Sequence, residues 1–140
     1  MFKLLADSLM RTRNLFYAIR LTGNFRYVKT RSVPAQKKTY PPLVEVTGDQ
    51  PEFEANDIKG QLVGFYCPHF VKGVNVPGYH LHFLSGDKSF GGHLLAFKLL
   101  EGELVLDKIN RFEIILPDGG AFLKSEFETD RSKELKKAEY

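Results

Sequence analysis

Residues 79–102 read YHLHFLSGDKSFGGHLLAFKLLEG. Two β-favouring runs, YHLHFLS (79–85) and GHLLAFKLLEG (92–102), flank the turn-rich GDKSFG (86–91), so the stretch predicts an antiparallel hairpin. His80 and His82 are two apart in a strand and therefore share one face. The face of His93 depends on register. If His82 lies opposite His93, their numbers sum to 175 and the turn centres between Asp87 and Lys88, inside SGDKS. Pairing His80 with His93 also works, with a shorter connection. A slip by one residue throws His93 to the other face, and a bulge at Gly91-Gly92 changes the count.

Working outward, LFYAIRL (15–21), TGN (22–24) and FRYVKTRSV (25–33) read as a second hairpin with Thr22-Gly23-Asn24 as its turn. Residues 34–51 hold Pro34, Pro41, Pro42 and Pro51, and predict an extended loop around one short strand at Leu43–Val46. IKGQLVGFYC (58–67) reads as a strand and PHFVKGVNVPG (68–78) as a loop. ELVLDKI (103–109) and RFEIILP (111–117) read as two further strands. Leu4, Leu5, Leu9 and Met10 fall at helical spacing in residues 1–13. FETDRSKELKKAEY (127–140) reads as a polar helix with Thr129 or Asp130 as N-cap. The expected fold class is α+β: a predominantly antiparallel or mixed β-sheet with short helices near both termini, in a single domain over 1–140.

The chain has 140 residues, enough to bury a core without disulfides. Its net charge of +3 is spread along the chain and mixed with Asp and Glu, which is no nucleic-acid footprint. Cys67 is the only cysteine, so no intrachain disulfide forms. No apolar run reaches the roughly 18 residues of a membrane helix. The N-terminus lacks the apolar stretch of a signal peptide, and the expected location is the cytoplasm.

Three imidazoles on one sheet face bind Zn²⁺ through neutral nitrogens and leave a coordination position open, as a Lewis-acid catalyst needs. The plainer alternative is a set of polar residues on a solvated face. His69, in a Pro-flanked loop, reads as a surface residue. A cupin-like iron site fits less well, because it wants a carboxylate a few residues on and a distant third His. Gly73, Pro77, Gly78, Gly91 and Gly92 flank the hairpin; they serve a ligand pocket or simply tight turns.

KGVNVPGYHLHFLSGDKSFGGHLLAF (72–97) resembles the metal-binding hairpin of the α-acetolactate decarboxylases. NLFYAIRLTGNFRYVKTRSVPAQKKTYPPL (14–43) and IKGQLVGFYCPHFVKG (58–73) are similar to the same family. The resemblance implies decarboxylation of 2-acetolactate to acetoin, with zinc held by His80, His82 and His93. It implies an active-site arginine at Arg31, in Thr-Arg-Ser-Val-Pro, with Arg20 the competing strand arginine. It also implies a carboxylate near the C-terminus, matched to Glu139, with Glu134 as the fallback. Zinc would chelate the ketone and hydroxyl oxygens together and stabilise the charge left by departing CO₂. Arg31 would orient the carboxylate or hold a proton-delivering water, since a guanidinium is a poor acid; Glu139 would orient that water or the substrate hydroxyl.

The sequence departs from the family in three ways. Family members are about twice as long, and their N-terminal half supplies another glutamate that nothing here matches. Lys88 stands where an arginine is expected, and Phe90 where the residue is usually small. Missing strands would expose sheet edges, so the expected assembly is a homodimer. The alternatives to a decarboxylase are a non-catalytic metal- or ligand-binding remnant and a structural β-domain with incidental histidines.

Overall fold

The computed structural model describes residues 2–37, 50–120 and 122–130. A short helix α1 (Phe2–Leu9) precedes four strands: β1 (Phe16–Arg31), β2 (Glu52–Cys67), β3 (Gly78–Ser85) and β4 (Gly91–Ile109). All pair antiparallel and close in the order β1-β2-β3-β4 into a barrel, with β4 returning to β1. The expected α+β class, mainly β, is what the chain adopts. Among the described residues no helix is long and apolar enough to cross a membrane.

The predicted β1 hairpin is not formed: residues 16–31 run as one strand straight through Thr22-Gly23-Asn24. Gly23 pairs with Gly60 on one side and Gly102 on the other. A β-carbon at Gly23 would stand 2.2 Å from the Glu101 carbonyl oxygen and 2.8 Å from Gly102 Cα. The glycine thus lets the β1 and β4 backbones approach closely, which is the other common use of a glycine inside a strand. The same crossing carries 92–102 and 103–109 through Gly102 as one strand. RFEIILP (111–117) is not a strand: the β1–β4 ladder ends at Phe16 opposite Ile109, so the segment beyond finds no partner in β1. Phe112 instead stacks on Phe16, ring centroids 5.0 Å apart.

Inside the barrel Leu21, Phe25, Val28, Leu62 and Phe83 are essentially inaccessible. Phe25 meets Phe83 and Phe97 edge to face, at 5.2 and 5.9 Å. These pairs add to the burial of Phe25 by the favourable edge-to-face geometry of aromatic rings. Helix α1 presents Phe2 and Ala6 to the barrel, and Met10, just past its end, continues the same stripe. The sequence pointed to Leu4, Leu5 and Leu9 as well, but these three are exposed. Asp7 ties the helix down by accepting the Tyr79 hydroxyl at 2.6 Å and pairing with Arg13. The Tyr79 bond, ahead of Arg13, lowers the Asp7 pKa against the opposing pull of burial.

The barrel leaves edges. Glu52–Lys59 of β2 and Leu94–Ile109 of β4 pair with β1 alone among the described residues. The predicted strand at Leu43–Val46 lies outside the described residues, as does most of the C-terminal helix. The described start of that helix, including Thr129 and Asp130, is not helical.

Candidate metal centre

Strand β3 has two faces of opposite character. Leu81 and Phe83 point into the barrel and are buried, while His80 and His82 point outward. The alternation follows from the pleat. The hairpin register is His82 opposite His93, then Phe83 opposite Gly92 and Leu84 opposite Gly91. This is the first of the two registers the sequence allowed, with the turn at Asp87-Lys88.

The turn is held by side chains. The Ser85 hydroxyl donates to Asp87 Oδ1 at 2.6 Å, and the Ser89 amide and hydroxyl donate to the same carboxylate at 3.0 and 2.8 Å. The Ser85 oxygen in turn accepts the Phe90 amide at 2.9 Å. These bonds, that of Ser85 first, hold the Asp87 pKa down at about 2. Fixing the turn fixes the register, and the register places His93 beside His82.

The three histidines converge. One ring nitrogen from each lies within 4.8 Å of the others, and His80 Nε2 is 3.1 Å from His82 Nε2. Three nitrogens on one tetrahedral zinc lie about 3.3–3.4 Å apart, as the usual Zn–N lengths require. Small ring rotations therefore bring this donor set onto one ion. The group is partly open, His82 exposed and the other two half-buried, which leaves room for a further ligand. Neutral imidazoles with an open side suit zinc and other borderline divalent ions.

Direct pairing extends this site around the barrel. Arg20 pairs with Val63, Val63 with His82, His82 with His93 and His93 with Arg31. This outward belt starts and ends on β1. It separates the two arginines the sequence left in competition. Arg31 is one strand, about 4.8 Å, from a histidine strand, whereas Arg20 is two strands away with Val63 between. Arg31 is half-buried, and Thr30 beside it points inward and is fully buried. His69 is exposed and apart from the group, in a short 3-10 turn. Glu139 and Glu134 lie outside the described residues.

The sequence reading gave 58–67 as a strand but named no site residue on it. Phe65 is the direct partner of His80, Val63 that of His82, and Ala18 that of Phe65. Together with the two histidines they line an open, largely apolar cleft. The signal was present: QLVGFY (61–66) carries apolar residues on both faces, where a strand with one solvated face alternates. Gly64 lies between them, and a β-carbon there would stand 2.0 Å from the His80 carbonyl oxygen.

The fold and the site together define a small antiparallel barrel that carries an outward-facing three-histidine centre. The sequence profile described as alpha-acetolactate decarboxylase matches residues 1–129, and the chain belongs to that family. It is 45% identical over 128 residues to an alpha-acetolactate decarboxylase of Methanosarcina mazei, covering 91% of this chain and 44% of that protein. It is 41% identical over 138 residues to the one of Methylococcus capsulatus, covering 99% and 53%. The crystal structure of alpha-acetolactate decarboxylase from Bacillus subtilis strain 168 superposes with a TM-score of 0.92 at 34% identity, covering 99% of this chain and 59% of that one. The chain spans about half the length of the curated relatives it matches.

Proposed function

We propose that residues 1–140 are the metal-binding domain of an acetolactate decarboxylase, holding zinc on His80, His82 and His93. The convergence of three ring nitrogens within 4.8 Å, in a chain of this family, carries the reading. Bound there, zinc would supply Lewis acidity to the ketone oxygen of 2-acetolactate, where negative charge develops as CO₂ leaves and acetoin forms. Arg31, next to His93 on the belt, is the group to hold the departing carboxylate or to fix the water that returns a proton. The carboxylate of Glu139, or of Glu134, would orient that water. The stretches of β2 and β4 that pair with β1 alone among the described residues support association with a second polypeptide, in the simplest case as a homodimer. A cytoplasmic enzyme of acetoin formation is the setting this implies.

A second reading is a metal-binding domain without activity of its own, favoured by the half-length match to the relatives. Elemental analysis of the purified chain and of His93→Ala is the deciding experiment. About one zinc per chain, lost in the variant, supports the site; acetoin production then chooses between enzyme and inactive binder. A chain that takes up no zinc on reconstitution would end both readings.

A further inference from the structure

The surroundings of the three histidines are lopsided. On the β4 side the next residue in the belt is the cationic Arg31. On the β2 side the next residues are Val63 and Phe65, with Ala18 behind Phe65 and Arg20 one strand further out behind Val63. Val63 and Phe65 are 43% and 52% exposed. Direct cross-strand partners hold their β-carbons about 4.5–5.5 Å apart. Val63 and Phe65 thus stand within one small molecule's length of anything bound to the histidines. A solvated strand would place polar groups at these outward positions.

The geometry points to Val63 and Phe65 as specificity-determining residues, forming an apolar seat for the alkyl substituent of the metal-bound substrate. This rests on the three-histidine site proposed above and adds an orientation to it. A short 2-hydroxy-3-oxo acid sits with its carboxylate toward Arg31 and its alkyl branch toward Val63 and Phe65. Phe65 stands between the histidines and Ala18, on the far side of this open cleft. The bulk of residue 65 therefore sets how large a branch the seat accepts.

The test uses the zinc-loaded full chain and two unreactive 2-hydroxy acids, 2-hydroxy-2-methylpropanoate and 2-hydroxy-2-methylbutanoate, which differ by one methylene. Their dissociation constants are read by NMR titration for the wild type, Val63→Ala, Phe65→Ala and the more conservative Phe65→Leu. Zinc content is measured on every sample. Opening the seat is expected to shift the affinity ratio about ten-fold toward the larger acid, in Phe65→Ala most, with zinc still at one per chain. An unchanged ratio in variants that retain zinc overturns the seat and leaves the metal site standing. So does a wild type that holds zinc but binds neither acid. A wild type that holds no zinc removes the metal site itself, and the seat with it.

Discussion

Arg31 and His93 are direct partners across the β1–β4 ladder, both on the outer face of the barrel. A cation is thereby fixed one strand from the three-histidine group by backbone pairing, not by the flexibility of its own side chain. Arg31→Ala is expected to keep zinc at one per chain and to lower acetoin formation about 10²–10³-fold, the usual cost of removing one charge-stabilising donor. Arg31→Lys should recover only part of this, because an ammonium lacks the planar fork that grips a carboxylate. Steady-state acetoin assays with parallel metal analysis read the result; wild-type rates in both variants would take Arg31 out of the mechanism.

The close contact of Gly64 with His80 makes a second prediction. Gly64→Ala forces the new methyl against the His80 carbonyl, 2.0 Å away unless the strands part. Overpacking of this kind costs about 1–3 kcal/mol. Since the displaced backbone carries two candidate ligands, zinc affinity should fall along with stability. Chelator competition and denaturant titration on one sample separate the two effects, and unaltered zinc affinity would show that β3 moves as a rigid piece.

Acid should act on the hairpin through Asp87. Its folded pKa, about 2, lies below its ordinary value of 3.8. The stabilisation is therefore complete above that ordinary value and is lost as pH falls through about 2. Asp87→Ala is expected to lower the melting temperature at pH 7 and to lower it much less near pH 2. Thermal melts of both proteins at the two pH values provide the check. A variant equally destabilised at both would assign the effect to packing.

Beneath the belt, the Thr30 hydroxyl is fully buried and has no hydrogen-bond partner among the described residues. A buried hydroxyl left unpaired is costly, so replacing it by a methyl removes a penalty. Thr30→Val should stabilise the fold by about 1 kcal/mol. Loss of stability in urea titration would reveal a partner for the hydroxyl in solution.

Local features of the sequence were legible where one short-range signal settled them. The turn chemistry of SGDKS and the histidine spacing narrowed the register to two, one of which the ladder adopts. Thr22-Gly23-Asn24 misled because the same glycine serves a tight turn or a close approach of backbones. Only the distant partners Gly60 and Gly102 decide which, and no local window contains them. The orientation of α1 escaped for a related reason. Its leucines and its Phe2–Ala6–Met10 stripe are both helically spaced, and the barrel end selects the second. The different distances of Arg31 and Arg20 from the histidines, and the place of Val63 and Phe65 beside them, waited on barrel closure, which brings the two ends of one strand to opposite flanks of the histidines.

Strand β3 places core residues and candidate ligands on alternate positions of a single eight-residue segment. A hairpin misaligned by one residue would drive His80 and His82 into the interior and turn Leu81 and Phe83 out to water. Such a chain would forfeit its folding energy and its chemistry in the same error. Nor does the interior depend on the ion, since Leu62, Phe25 and Phe83 pack on the side away from the imidazoles. Faithful folding alone therefore proofreads the ligand set before any metal arrives.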